Sequence, residues 1–140
     1  MAVPETPPIS WSEEKYGLGI AALDQDHQRL VDLINAVQRG AAAHLGTAFL
    51  EKVLADLSDY VATHFAREEG LMRQYGYPEF SAHKAAHGQF IVRIAEMKAR
   101  LGSGKLVTGQ IHGYLKDWLV LHILGMDRQY APYLRERGVR

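Results

Sequence analysis

Five histidines and two carboxylates of this sequence stand at spacings that suit metal ligation. His64 and Glu68 are four residues apart, and so are His83 and His87. On an α-helix a four-residue step turns through about 400°, so the members of each pair lie within roughly 40° on one face. Each pair can therefore direct two donor atoms at one point in the protein interior. The complete set of candidate metal ligands is His27, His64, Glu68, His83, His87, His122 and Asp127.

The types of donor restrict the metal. The chain of 140 residues contains no cysteine, which excludes thiolate zinc sites, iron–sulfur ligation, disulfides and cysteine nucleophiles. An imidazole-rich site suits iron, copper, nickel or zinc rather than calcium or magnesium. Five imidazoles and two carboxylates exceed what one tetrahedral zinc ion can use. Two ions with bridging carboxylates would use all seven groups and keep positions free for an oxygen ligand, and two irons fit best.

Four helical segments must position these residues. Apolar residues recur at three- and four-residue steps, whereas sustained period-two alternation and internal repeats are absent. We expect helices over about 24–43, 48–75 and 79–101, and a fourth from about 107, with Asp24 and Thr47 as N-caps and Pro78 in a first helical turn. The breaks between them are Gly46-Thr47, Gly76-Tyr77-Pro78 and Gly102-Ser103-Gly104. Short connections favour antiparallel neighbours, so the predicted fold is all-α, an up-down-up-down antiparallel four-helix bundle.

The topology of such a bundle brings the candidate ligands to one level. His27 stands near the start of the first helix, and His122 and Asp127 stand near the end of the fourth. These two helix ends lie at the same end of an antiparallel bundle. The second half of helix two and the first part of helix three, which carry His64 and His87, reach that end as well. Unrelated structural histidines would not share both helix face and depth, so the pattern favours one common site.

The spacing of His122 and Asp127 is the exception. A five-residue step corresponds to about 500°, which leaves roughly 140° between two side chains on a regular helix. Both side chains can face inward only if the helix loosens or ends between them, and Gly125 favours such a change. The sequence therefore predicts a local departure from α-helical geometry at this point.

The two ends of the chain differ from the bundle. Proline and glycine interrupt residues 1–22, for which we expect an irregular N-terminal arm. A short helical tail should follow the fourth helix. The length suits a single domain over 1–140, with the bundle over 23–135. The apolar residues expected to hold the arm against the bundle are Trp11, Tyr16, Leu18 and Ile20.

Composition argues against several kinds of partner. The 16 basic and 16 acidic residues cancel, so no long-range field is available to hold nucleic acid. The longest apolar run, 118–126, is far too short to span a bilayer, and the N-terminus lacks the features of a secretory signal. We therefore expect a cytoplasmic monomer without nucleic-acid partners and without membrane insertion.

Some polar residues near the candidate ligands have simpler interpretations. His44 and His112 are expected to be structural or solvent-exposed, since His112 is offset by roughly 80° from the ligand face of its helix. Glu69 is interpreted as a solvated acid. Asp26 could orient a ligand imidazole, but a charge at the start of a helix is the preferred interpretation.

Taken together, these motifs resemble the hemerythrin family over about residues 11–133. The resemblance rests on four pieces in order: Asp24-Gln25-Asp26-His27, His64-Phe65-Ala66-Arg67-Glu68-Glu69, His83-Lys84-Ala85-Ala86-His87 and His122-Ile123-Leu124-Gly125-Met126-Asp127. Each piece is weak alone, whereas all four at these separations are highly specific. The length and the arm that contains Trp11 are most similar to the single-domain bacterial members, the bacteriohemerythrins.

The resemblance implies a role for each candidate residue. His83, His87 and His122 would bind one iron, and His27 and His64 would bind the other. Glu68 and Asp127 would bridge two non-haem irons together with an oxo or hydroxo group. Molecular oxygen would bind reversibly, as hydroperoxide, at the iron that has two histidines. The residues that would shield this oxygen pocket are Phe65, Trp118 and Leu119.

The function implied by the resemblance is oxygen binding for transport, storage or delivery rather than catalysis, with an oxygen-consuming enzyme as one conceivable recipient. Three other interpretations stay open at this point. The same site could belong to an enzyme that acts on peroxide or nitric oxide, or to a module that senses oxygen or iron. A purely structural bundle would bind no metal.

Overall fold

The structure is a computed structural model that describes residues 7–43, 45–103 and 108–140. Throughout this part the regular structure is helical, and the long helices form an up-down-up-down antiparallel bundle in which α2 packs against α3 and α5, and α3 packs against α4. The elements are α1 (Glu13–Tyr16), α2 (Ala21–Ala42), α3 (Gly46–Gln74), α4 (Phe80–Gly102), α5 (Thr108–His122), a π-helical turn (Ile123–Asp127) and α6 (Arg128–Glu136). The predicted all-α four-helix bundle is confirmed.

The core consists of one buried stripe from each long helix. On α3 the predicted apolar stripe is buried along the length of the helix, and a fully buried aliphatic or aromatic side chain contributes about 1.5–3 kcal/mol to stability. The stripe of α4 includes two of the candidate ligands. Its buried residues are His83, His87, Phe90, Ile94, Met97 and Leu101. The packing that builds the bundle therefore also turns these histidines inward.

The expected N-terminal caps of the helices were wrong. α2 begins at Ala21, three residues before Asp24, and Asp24 Oδ1 accepts a hydrogen bond of 2.8 Å from the backbone N–H of Leu18. α3 begins at Gly46 without a side-chain cap, so Thr47 is not a cap. Pro78 lies in the turn before α4 rather than in its first helical turn. Asp24 thus fastens the arm to the bundle instead of starting a helix.

The arm is more ordered than expected and lies on the bundle. It contains the one-turn helix α1, and the backbone of Ile9 exchanges two hydrogen bonds of 2.9 Å with the side chain of Asn35 on α2. Trp11 stacks on Tyr16 with ring centroids 5.6 Å apart. The arm residues that are buried as predicted are Tyr16, Leu18 and Ile20.

The fourth helix of the bundle continues beyond the π-helical turn as α6, which confirms the predicted helical tail. Tyr130, Ala131 and Leu134 of α6 are buried. Among the described residues, no helix combines the length and the apolar character needed to cross a membrane. Residues 1–6, His44, Gly104 and Val107, for which the sequence led to expectations, lie outside the described residues.

Candidate metal centre

α3 and α4 each contribute a pair of candidate ligands from one helix face. His64 and Glu68 lie on α3, and His83 and His87 lie on α4. All four residues are at most 2 % exposed. As the four-residue spacing predicts, the two members of each pair lie on one helix face, and both pairs point into the interior.

A widened helical turn places the fourth-helix candidates. The segment Ile123–Asp127 is a π-helical turn, in which hydrogen bonds join residues five apart instead of four. A five-residue step then returns to nearly the same face, and His122 Nε2 lies 3.1 Å from Asp127 Oδ1. The predicted departure from α-helical geometry is confirmed. The expected role of Gly125 gains no support from neighbouring elements, because a Cβ on this residue would meet no described atom within 4 Å outside its own stretch of helix backbone.

Glu68 lies between two groups of imidazoles. Its Oε1 contacts Nε2 of His64 and lies 3.3 Å from Nε2 of His27. Its Oε2 lies 3.4 Å from Nε2 of His83 and 3.2 Å from Nε2 of His87. One carboxylate thus faces α2 and its own helix with one oxygen, and α4 with the other.

Asp127 divides its oxygens in the same way. Its Oδ2 lies 3.0 Å from His27 Nε2, whereas its Oδ1 lies 3.0 Å from His83 Nε2 and 3.1 Å from His122 Nε2. The two carboxylates therefore separate the histidines into a two-imidazole group and a three-imidazole group. The first group is His27 and His64, and the second is His83, His87 and His122.

The hydrogen bonding within the centre is incomplete, although its atoms are close together. Some atoms are buried and have no hydrogen-bond partner within residues 7–43, 45–103 and 108–140, namely Glu68 Oε2, both carboxylate oxygens of Asp127 and His87 Nε2. An unsatisfied buried polar group costs about 1–3 kcal/mol. Lone pairs that converge on a shared space are the arrangement that a bound cation stabilises. The donor set therefore fits metal ions.

Two overlapping sets of ligand atoms meet the distance requirement for binding an ion. In each set the atoms lie within 4.8 Å of one another. The sets are His27, His64 and Glu68, and Glu68, His83, His87 and His122. Glu68 is common to both sets, as expected of a carboxylate that bridges two ions.

In the metal-free protein the candidate ligands shift one another's pKa values. Burial disfavours the charged forms, but the neighbouring carboxylates Asp127 and Glu68 outweigh it and raise the pKa of His27 to about 10 and that of His83 to about 9. Burial likewise opposes ionisation of Glu68, and the charge of His64 nevertheless holds its pKa well below the usual range. Metal ions must therefore displace protons from these imidazoles.

Asp26 is a buried neighbour of the centre, so its preferred interpretation as a charge at the helix start was wrong. Its Oδ2 lies 2.8 Å from Nδ1 of His64. Its Oδ1 accepts a hydrogen bond of 3.0 Å from the hydroxyl of Tyr60, and Nη1 of Arg67 lies 3.4 Å from the same oxygen. Burial opposes ionisation of Asp26, yet the hydrogen bond and charge of His64 lower its pKa.

Glu69 is not a solvated acid, and that interpretation was also wrong. Its Oε2 lies 3.1 Å from Nδ1 of His87 on the neighbouring helix, and its side chain is only 17 % exposed. The local spacing on α3 does not reveal this contact, because the contact depends on how α4 packs against α3. His112, by contrast, was expected to be either structural or solvent-exposed, and it is buried.

The match to known proteins agrees with this geometry. The family model of the hemerythrin HHE cation binding domain matches residues 18–134. The chain belongs to the hemerythrin family. A bacteriohemerythrin of Stenotrophomonas maltophilia (strain R551-3) is 34 % identical over 127 residues, which span 91 % of this chain and 82 % of the relative.

A second relative and a solved structure extend the comparison. A bacteriohemerythrin of Methylococcus capsulatus (strain ATCC 33009 / NCIMB 11132 / Bath) is 32 % identical over 127 residues, 90 % of this chain and 96 % of the relative. A crystal structure of wild-type hemerythrin has a TM-score of 0.82 and 31 % identity, over 90 % of this chain and 97 % of that chain. A hemerythrin domain binds non-haem iron, and the buried cluster of histidines and carboxylates is compatible with iron.

Two of the three residues expected to shield an oxygen pocket, Phe65 and Trp118, border the candidate metal centre. Phe65 stacks on the imidazole of His87 with ring centroids 3.7 Å apart, and Trp118 stacks on that of His122 at 4.4 Å. Leu119 is buried. Phe65 and Trp118 thus stack on members of the three-imidazole group, while Phe65 also lies 6.0 Å from the ring of His64 in the other group.

Tyr130 is a neighbour of the centre that the sequence interpretation left in the tail. Its ring stacks on His83 with centroids 5.3 Å apart, and its buried hydroxyl has no hydrogen-bond partner among the described residues. Burial and the charge of Asp127 raise its pKa well above the usual value. The π-helical turn brings it to this place, and the turn type was not predictable from spacing.

Proposed function

We propose that this hemerythrin domain binds molecular oxygen reversibly at a di-iron centre. The single observation that carries the proposal is the division of both carboxylates, Glu68 and Asp127, between a group of two imidazoles and a group of three. A single ion would need donors that converge on one point, whereas this arrangement offers two points that share the carboxylates. The ligands in this proposal are His27, His64, Glu68, His83, His87, His122 and Asp127.

The proposed division of ligands follows the two imidazole groups. His27 and His64 would hold one iron, His83, His87 and His122 the other, and Glu68 and Asp127 both. When bound, a di-iron centre supplies two electrons and a coordination position for oxygen. Glu68 and Asp127 would bind iron as deprotonated carboxylates, so neither would carry a proton to donate to bound oxygen, which favours reversible binding.

Aromatic side chains cover part of the centre. Phe65 stacks on the imidazole of His87, and Trp118 stacks on that of His122; the Phe65 and Trp118 ring centroids are 5.8 Å apart. Leu119, the residue that follows Trp118, is also buried. An apolar cover of this kind slows the entry of water and protons and so protects a bound oxygen molecule. The names of the relatives, hemerythrin and bacteriohemerythrin, support the same function.

We infer a carrier, store or supplier of oxygen rather than an enzyme, with an oxygen-consuming enzyme as its recipient. We further propose that the protein is a single-domain monomer and that it is located in the cytoplasm.

A second candidate function is the reduction of peroxide or nitric oxide at the same site. The observation that favours it is Tyr130, whose ring lies against His83 and whose buried hydroxyl has no hydrogen-bond partner in the described part of the chain. Reduction of peroxide to water takes two electrons, which two ferrous irons would supply, and two protons. A phenol beside the centre can pass on protons, which a pure oxygen carrier does not need.

An anaerobic optical titration distinguishes these functions. We expect the iron-loaded, reduced protein to develop an absorption spectrum on exposure to oxygen, and to lose it when oxygen is removed. A protein that holds less than one iron per chain after reconstitution, or that shows no oxygen-dependent spectrum, would contradict the proposal. Rapid turnover of peroxide or nitric oxide with a short-lived oxygen complex would favour the second candidate.

A further inference from the structure

Two carboxylates outside the proposed ligand set lie behind two of the ligand imidazoles. Asp26 Oδ2 is 2.8 Å from His64 Nδ1, and Glu69 Oε2 is 3.1 Å from His87 Nδ1. In both rings the opposite nitrogen, Nε2, faces Glu68. Each imidazole thus extends from an outer carboxylate to the centre.

The contacts fix which ring nitrogen is available to a metal ion. A carboxylate only accepts hydrogen bonds, so Nδ1 of His64 and of His87 must carry the proton that it donates. Nε2 is then left to bind the metal. His27 differs, because its buried Nδ1 has no hydrogen-bond partner among the described residues.

The two outer carboxylates belong to different halves of the centre. His64 is in the two-imidazole group, and His87 is in the three-imidazole group. Asp26 is held in turn by the Tyr60 hydroxyl at 3.0 Å and by Arg67 at 3.4 Å. Each group of imidazoles therefore includes one ring that is braced by a carboxylate on its outer side.

We propose that Asp26 and Glu69 are positioning residues. Asp26 sets the metal affinity and reduction potential of the ion held by the two-imidazole group, and Glu69 sets those of the ion held by the three-imidazole group. This inference rests on the proposed function. A carboxylate behind a ligand imidazole fixes its tautomer and orientation and increases its basicity, and loss of such a partner costs 10–100-fold in metal affinity or activity in comparable sites. The more basic ligand favours the ion of higher charge.

The direction of the redox effect follows from this preference. Asp26→Asn and Glu69→Gln keep the shape and an acceptor oxygen but remove the negative charge. Ferric iron should lose more affinity than ferrous iron, so the potential should rise. A tenfold larger loss for ferric iron corresponds to about 59 mV for a one-electron couple.

Cobalt(II) titration of the metal-free protein tests the assignment to separate halves. We expect two binding events in the wild type, of which Asp26→Asn weakens one and Glu69→Gln weakens the other, each by about 10–100-fold. The double variant should weaken both. Glu51→Gln, which removes one exposed acid from α3, is the charge-matched control and should change neither event.

Tyr60→Phe provides a second variant that leaves the contact between Asp26 and His64 in place. It removes only the hydrogen bond that Tyr60 donates to Asp26, so it should weaken the same event as Asp26→Asn by a smaller factor. Spectroelectrochemistry of the iron-loaded proteins should show a higher potential for Asp26→Asn and Glu69→Gln than for Glu51→Gln.

The outcomes separate this proposal from the proposed function. If the wild type binds two ions and oxygen, but the affinities and potentials of the variants match those of Glu51→Gln, the two carboxylates are only structural and the inference is wrong. Equal weakening of both events by each variant would overturn the assignment to separate halves. A wild type that binds only one ion would overturn the inference together with the di-iron proposal.

Discussion

His122 and Asp127 are five residues apart, and the π-helical turn between them places His122 Nε2 3.1 Å from Asp127 Oδ1. The same turn sets the rotation of α6, in which Tyr130 and Leu134 are buried. One local widening of the helix therefore directs two candidate ligands into the centre and seats the end of the chain on the core. π-helical turns inside α-helices are rare, and those that occur are often found at functional sites.

The turn should not depend on its glycine. Gly125→Ala is expected to increase the free energy of unfolding by about 0.5–1 kcal/mol. Alanine is the better helix former, and outside the local helix backbone a Cβ would meet no described atom within 4 Å. Gly70→Ala, at an equally open position of α3, is the control and should stabilise similarly. Denaturant unfolding measures both effects. Loss of metal binding in Gly125→Ala alone would show that the turn requires glycine.

The features that could be predicted from the sequence are those that depend on local spacing. The step of four residues places His64 with Glu68 and His83 with His87 on single faces, and apolar periodicity gives the four helices. The five-residue step to Asp127 shows that a regular helix must be interrupted, but not by which kind of turn.

Contacts between helices could not be read from the sequence in the same way. Asp26 reaches His64 from α2, and Glu69 reaches His87 from α3. Both contacts depend on how the packed helices are rotated and how far apart they lie. The spacing of residues along the sequence does not give this information. The role of Asp24 is not predictable for a related reason, since its partner Leu18 lies in the arm rather than in the first turn of α2.

Leu119 is expected to protect bound oxygen, whereas Leu115 one turn earlier is only part of the core. Both side chains are buried, so Leu119→Ala and Leu115→Ala should each lower the free energy of unfolding by about 2–5 kcal/mol. Only Leu119→Ala should shorten the lifetime of the oxygen-bound form, measured as the decay of its absorption in air. Equal lifetimes in the two variants would remove Leu119 from the oxygen pocket.

Metal binding should release protons. In the metal-free protein the carboxylates raise the pKa of His27 to about 10 and that of His83 to about 9, so both imidazoles are protonated at pH 7.5. Loading with a divalent ion should then release about two protons from them. Calorimetry in buffers of different ionisation enthalpy measures this number. A binding enthalpy independent of the buffer would mean that the imidazoles are neutral before binding.

His112 should make the metal-free protein less stable in acid. Burial, with the nearby charge of Lys116, lowers its pKa, so the unfolded chain takes up a proton on this residue more readily than the folded chain. The contribution of His112 to the free energy of unfolding is therefore lost as the pH falls below about 6.5 towards the pKa of this residue in the folded protein. We expect His112→Leu to gain stability relative to the wild type between pH 7.5 and pH 5. A stability difference that is constant over this range would contradict the assignment.

We propose that seven side chains hold two irons that together bind one oxygen molecule. The most direct measurement is the stoichiometry of iron and of reversibly bound oxygen in the anaerobically reconstituted protein, compared with His87→Ala and with the control His112→Leu. We expect two irons and one oxygen molecule per chain in the wild type and in His112→Leu, and a loss of both in His87→Ala. One iron per chain, or unchanged iron and oxygen binding in His87→Ala, would contradict the claim.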